Sequence, residues 1–166
     1  MKKIFTLLLA LAFLSPAMVS AKKNDEGLVP EYQLTGAGMT SDNASQVQVS
    51  ILSKKKDVSD ADLQKAAVHG VLFRDYDDPT NSGYGSVASH KSIMGSPTKE
   101  QEFIDFFEPF FRNGDCNKYC QLVGNTRRTV KAGKQWKVSA IVRVNTTALK
   151  KDLKKQGMVK GLGSGW

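Results

Sequence analysis

Residues 135–144 (QWKVSAIVRV) constrain the fold more than any other segment, because their side chains alternate along ten positions. The even-numbered residues, from Trp136 to Val144, are apolar, and the odd-numbered ones include Lys137 and Arg143. A period of two is typical of a β-strand with one buried and one wet face. A wet face is common in antiparallel sheets, so the segment predicts an antiparallel sheet that is covered on one side.

Weaker patterns before and after this strand predict the remaining elements. The predicted strands cover residues 32–38, 46–53, 119–123, 127–131 and 135–144. The predicted helices cover residues 60–73, a segment that starts near Pro97 and ends or bends at Pro109, and residues 147–156. The order ββ-αα-βββ-α lacks a regular βαβ alternation. It predicts an α+β fold, a two-layer sandwich with a mainly antiparallel sheet and helices on one face.

The first predicted helix has a clear start and a narrow apolar stripe. Ser59 can cap it, and Asp62 completes an imperfect capping box. The small residues Ala66, Ala67 and Gly70 lie on the stripe, so we expect this helix to approach the sheet closely. In the second helix four phenylalanines recur at helical spacing, which predicts a core face.

Residues 75–97 form the longest stretch without a periodic pattern. They contain DYDDPTN and several Gly, Ser and Pro residues. A loop of this length inside a compact domain is usually functional or mobile.

The N-terminus has the features of a secretory signal peptide. Lys2 and Lys3 precede an apolar run over residues 4–14, and Val19-Ser20-Ala21 is a small-residue cleavage site. Cleavage after Ala21 leaves Lys22 first, so no lipid-bearing cysteine is expected. We therefore predict a signal peptide at 1–21, a flexible leader at 22–30, one domain at 31–159 and a flexible tail at 160–166. The mature chain is expected to be soluble, periplasmic or secreted, and without a transmembrane segment.

Cys116 and Cys120 are the two cysteines of the chain. In a secreted protein two cysteines most simply pair with each other, so a structural disulfide is predicted. A redox motif would have two intervening residues rather than three, and a zinc site would need further ligands.

Charge is distributed unevenly. Residues 22–120 have a net charge of −4, whereas residues 121–166 have 11 Lys and Arg against a single Asp, a net charge of +10. Alternation places Arg127, Lys131, Lys137 and Arg143 together on the wet face of two neighbouring strands, and we predict that these four form a ligand-binding surface. The alternative is an ordinary solvated face.

The compartment suggests the partner of this surface. An anionic envelope glycan, a lipid headgroup or an acidic protein surface would fit, whereas nucleic acid is not expected, because no aromatic side chain is interleaved for base stacking.

The favoured function is a non-enzymatic binding or assembly module of the envelope. The alternative is a small hydrolase that uses the 75–97 loop, with His90 and Asp77 or Asp78 brought together in a pocket. The sequence contains no recognisable catalytic motif, and neither a cofactor nor a metal is predicted.

Residues 66–74 (AAVHGVLFR), 121–144 and 148–162 resemble a group of small secreted proteins of unknown function from Bacteroides-type bacteria. The C-terminal third also weakly resembles the periplasmic α+β domain of flagellar-assembly and small outer-membrane lipoproteins. The second resemblance implies an assembly or binding role at the envelope. Neither resemblance supplies a catalytic residue.

Overall fold

The computed structural model of the protein describes residues 27–42, 44–83 and 86–159. Its strands are β1 (Tyr32–Met39), β2 (Ser45–Ser53), β3 (Tyr76–Gly83), β4 (Ser86–His90), β5 (Cys120–Leu122), β6 (Arg128–Ala132) and β7 (Gln135–Val144). Its helices are α1 (Asp60–Phe73), α2 (Thr98–Glu102), α3 (Ile104–Arg112), a 3₁₀ helix (Asp115–Tyr119) and α4 (Thr146–Lys155). The predicted signal peptide and tail lie outside the described residues.

An antiparallel sheet is the centre of the fold. Strand β7 pairs with β2 on one edge, β2 pairs with β1, and both β5 and β6 pair with the other edge of β7. The mixture of helices with antiparallel strands confirms the predicted α+β class.

The core fills the space between one face of this sheet and the helices. Apolar side chains of β2 and β7 pack there against α1, α3 and α4. Helix α1 has the predicted start: the Ser59 hydroxyl accepts a hydrogen bond from the Asp62 N–H at 3.1 Å, and both halves of the capping box are present. Gly70 of α1 faces Leu34 of β1 so closely that a Cβ atom would lie 2.6 Å from the leucine. The small residues therefore allow the expected close approach.

The expectation of an irregular loop over 75–97 is wrong. Most of the segment is a β-hairpin, in which β3 pairs antiparallel with β4 in a separate two-stranded sheet. The hairpin adds ββ between the first two helices, so the order becomes ββ-α-ββ-αα-βββ-α. Strands β3 and β4 show no alternating sequence pattern, because they are polar, include Pro79 and are interrupted by a bulge between Asp78 and Ser82.

The phenylalanine-rich segment divides at a different place from the predicted one. Helix α2 ends before Phe103, and Pro109 lies inside α3 rather than ending it. The predicted core face holds in part: Phe107 and Phe110 are buried, whereas Phe103 and Phe106 are only partly buried. Phe111, which lies outside the predicted stripe, is buried as well.

The packed part of the chain begins earlier than residue 31. Leu28 and Val29 are partly buried against the core, so the last residues of the predicted leader belong to the domain. Within the described residues, no helix has the length and hydropathy that a bilayer-spanning segment needs.

Candidate binding face on the sheet

The face of the large sheet opposite the helices is called here the open face. Side chains of directly paired residues share a face, so the strand register defines its composition. One row across it runs Leu52, Lys137, Val130, and the next runs Gln33, Ser50, Ser139, Arg128. Further rows contain Thr35, Gln48 and Ile141, then Gln46, Arg143 and Gln121.

The predicted set of four cations is divided between two faces. Lys137 and Arg143 lie on the open face as expected. Lys131 pairs with Trp136 and therefore shares the opposite face with it. The Arg127 guanidinium forms an ion pair with Asp60 and donates to the Val58 carbonyl, beside the start of α1. The prediction that the four cations share one face is wrong.

The reason lies in the register of the final hairpin. Ala132 pairs with Gln135, so odd-numbered residues of β6 oppose even-numbered residues of β7. The open-face residues of β6 are consequently Arg128, Val130 and Ala132, and Arg128 is a cation of this face that the sequence analysis missed. A two-residue turn at Gly133 and Lys134 was a sequence signal that could have identified it.

The open face is basic and contains no acidic residue. The five strands of the large sheet lack Asp and Glu altogether. Arg143 forms an ion pair with Asp42 from the turn between β1 and β2. Within the described part of the chain, Arg128 and Lys137 have no acidic partner within 4.0 Å. These two cations lie in adjacent rows on neighbouring strands and can therefore bind an anion.

A cavity of about 210 Å³ opens on this face beside Arg128. Its polar lining consists of Gln48, Asn125, Thr126, Arg128 and Ser139. It exists because the chain leaves the edge of β7 between β5 and β6. The two strands run in the same direction along that edge, so β5 and β6 are two parts of one interrupted strand.

Hydrogen bonds fix the segment that interrupts the edge strand between β5 and β6. The Thr126 hydroxyl donates to the Val123 carbonyl at 2.7 Å and accepts from the Ile141 N–H at 3.1 Å. Asn125 has a φ of 61°, in the left-handed region that Asn tolerates better than most residues. The rim of the cavity is therefore fixed to β7 on both sides of this turn.

A second polar cluster lies on the helix side of the sheet. The Tyr32 hydroxyl is 2.6 Å from Nδ1 of His69, and Nε2 of His69 is 3.0 Å from Glu100. Burial raises the pKa of Tyr32 above its usual range. Arg74 stacks over the Tyr32 ring at 4.3 Å. These contacts of Tyr32, His69 and Glu100 link β1, α1 and α2. Because Tyr32 is buried, the cluster does not present a reactive hydroxyl to solvent.

The hydrolase alternative required His90 within hydrogen-bond reach of a carboxylate. The ring of His90 is 3.7 Å from Asp78, which exceeds a hydrogen bond, and the Asp78 side chain is 1% exposed. Asp78 accepts instead from the Gly38 N–H at 3.0 Å and from both the N–H and the hydroxyl of Thr80. Burial alone would raise the pKa of Asp78, but these hydrogen bonds outweigh it and lower the pKa. Asp78 thus anchors the hairpin to β1, and the geometry gives no support for an acid–base pair.

Both cysteines are free thiols in the structure, so the predicted disulfide is not present in it. The Cys120 sulfur lies 3.8 Å from the Cys116 carbonyl oxygen, and the Cys116 sulfur is 3.6 Å from the Asn117 side chain. Burial raises the pKa of Cys116 to about 11 and that of Cys120 to about 12. Reduced thiols in these positions are protonated near neutral pH and are poor nucleophiles.

Comparison with protein-family models, with curated proteins and with solved structures gives no match for this chain.

Proposed function

We propose that the protein is a non-enzymatic binding module of the periplasm or cell exterior, whose open face contacts an anionic component of the envelope. The observation that carries the proposal is the charge of that face: Arg128 of β6 and Lys137 and Arg143 of β7 project from a sheet whose five strands contain no Asp or Glu. Such a surface attracts anions over roughly a Debye length, about 8 Å at physiological ionic strength. The features of residues 1–21 support the compartment.

The double variant Arg128→Gln, Lys137→Gln tests the face directly. Each of the two cations is worth up to about 1 kcal/mol toward an anionic partner, so we expect binding to weaken by roughly 5- to 30-fold at low salt. The measurement is titration of the purified protein with dextran sulfate, polygalacturonate and phosphatidylglycerol vesicles, at low and at physiological salt. The fold should survive, because neither side chain is buried.

Lys131→Gln, Lys150→Gln is the matched control, because it removes the same charge from exposed residues outside the open face. We expect this variant to bind every probe nearly as the parent does. Equal weakening in both variants would mean that net charge rather than the open face governs binding. That result, or a parent protein that binds none of the probes, overturns the proposal.

The proposed compartment makes a separate prediction about Cys116 and Cys120. In an oxidising environment we expect the secreted protein, unfolded without reductant, to have no free thiol and to have two after reduction. Titration must use unfolded protein, because the raised pKa of each buried thiol suppresses its reaction in the native state. Two reactive thiols before reduction would contradict the disulfide.

A further inference from the structure

The cavity beside Arg128 has the size and lining of a subsite for one polar group. Its volume of about 210 Å³ lies below the roughly 300–1,000 Å³ of pockets that hold drug-sized ligands. A single sugar ring is of the appropriate scale. A larger ligand must therefore place one unit in the cavity and extend over the rest of the open face.

The chemistry of the lining selects among anionic ligands. Two amides, Gln48 and Asn125, and two hydroxyls, Thr126 and Ser139, offer both donors and acceptors, which match the hydroxyl groups of a sugar. Arg128 supplies the only charge of the cavity lining, and its planar fork fits a carboxylate in a bidentate geometry. One cation among neutral hydrogen-bonding groups suits a ligand with one charge and many hydroxyls.

The surroundings of the cavity favour an extended polar chain. The rows of the open face add further uncharged amides and hydroxyls, among them Gln33, Thr35 and Gln46. The large apolar side chains that are exposed there, Leu52 at 47% and Val130 at 59%, lie on opposite sides of Lys137 and do not form a continuous patch. A lipid surface would call for contiguous apolar contacts, so a polysaccharide agrees better with this face.

We propose that the ligand is an acidic polysaccharide and that the cavity holds one carboxylate-bearing sugar unit, with its carboxylate on Arg128. This inference rests on the binding role of the open face proposed above. It adds the ligand class and the position of the charged unit.

The test compares four probes: oligogalacturonate, its methyl ester, dextran sulfate and phosphatidylglycerol vesicles. We expect the parent to prefer oligogalacturonate at physiological salt and to lose at least tenfold affinity for the ester. Arg128→Lys retains the charge but loses the fork, so it should weaken oligogalacturonate binding about tenfold and dextran sulfate binding less than threefold. Retention of oligogalacturonate affinity in Arg128→Lys overturns the carboxylate subsite.

A charge-neutral variant tests the cavity independently. Ser139→Leu fills it, and we expect at least a tenfold loss of oligogalacturonate affinity with an unchanged melting temperature. Thr147→Leu makes a similar polar-to-apolar change at an exposed position of α4, away from the open face and the cavity, and should bind as the parent does. Equal effects of the two leucine variants overturn the cavity's role.

The outcomes separate the two proposals. If dextran sulfate or the vesicles bind more tightly than oligogalacturonate, and Arg128→Gln, Lys137→Gln still weakens them, the ligand class is wrong while the binding face stands. If no probe distinguishes that double variant from its control, the binding face itself fails.

Discussion

Replacing Phe107 by Ala is expected to lower the free energy of unfolding by about 3–5 kcal/mol, the range typical of a buried aromatic ring that leaves a cavity. The Phe107 side chain is 0% exposed and lies edge-on to Phe73 of α1, with 4.9 Å between ring centroids. It is one of the contacts through which α3 packs on α1, together with Phe111 beside His69. Domains of this kind are stable by only about 5–15 kcal/mol, so the loss is a large fraction of the total. Urea denaturation followed by far-UV circular dichroism measures it.

Phe106→Ala is the control within the same helix. Phe106 is only partly buried, although its ring also contacts Phe107 and Phe110. We expect Phe106→Ala to lower the free energy of unfolding by less than half as much as Phe107→Ala, because part of the Phe106 side chain already faces water. Equal losses in the two variants would indicate that α3 is sensitive to any truncation, and a loss below about 1 kcal/mol for Phe107→Ala would exclude this ring from the core.

Helix α1 was predictable from the sequence because its determinants are local. The capping residues Ser59 and Asp62 are three positions apart, and the apolar stripe depends only on helical periodicity. The alternation of β7 likewise needs no knowledge of its partners. These elements appear in the structure at nearly the expected bounds.

The β3–β4 hairpin was not predictable in this way. Its stability depends on Asp78, whose carboxylate is buried against β1 and accepts from Gly38, 40 positions earlier. In the sequence the same residue belongs to an acidic run that indicates a solvated loop. A buried, hydrogen-bonded carboxylate has no periodic signature, so the polar residues of β3 do not predict a strand.

The candidate site was half predictable. The alternation of β7 correctly placed Lys137 and Arg143 on the open face, because that periodicity is intrinsic to one strand. Assigning Lys131 to a face requires the register between β6 and β7, because a shift of one residue moves every side chain of β6 to the other face of the sheet. The cavity depends on the turn at Gly124 and Asn125, where the edge strand has three residues more than the facing part of β7. The sequence there predicts a turn but not its direction.

Gly36→Ala is expected to be the most damaging single-methyl change in the described part of the chain. A Cβ atom at Gly36 would lie 2.4 Å from Cβ and 2.7 Å from Cα of Asp78. The Asp78 backbone cannot move away without weakening the hydrogen bonds that the Asp78 carboxylate accepts from the N–H groups of Gly38 and Thr80. Overpacking and the loss of a buried hydrogen bond together predict a loss of about 2–5 kcal/mol in the free energy of unfolding.

Gly70→Ala provides the contrast that makes this prediction specific. Its new methyl group would also be crowded, at 2.6 Å, but by the end of the flexible Leu34 side chain rather than by backbone. Alanine is favoured over glycine inside a helix by about 1 kcal/mol, which offsets the displacement of Leu34. We therefore expect its free energy of unfolding to stay within about 1 kcal/mol of the parent's in the same urea denaturation. If Gly70→Ala is as damaging as Gly36→Ala, general crowding of β1 rather than the anchoring of Asp78 limits stability, and the role assigned to Asp78 is wrong.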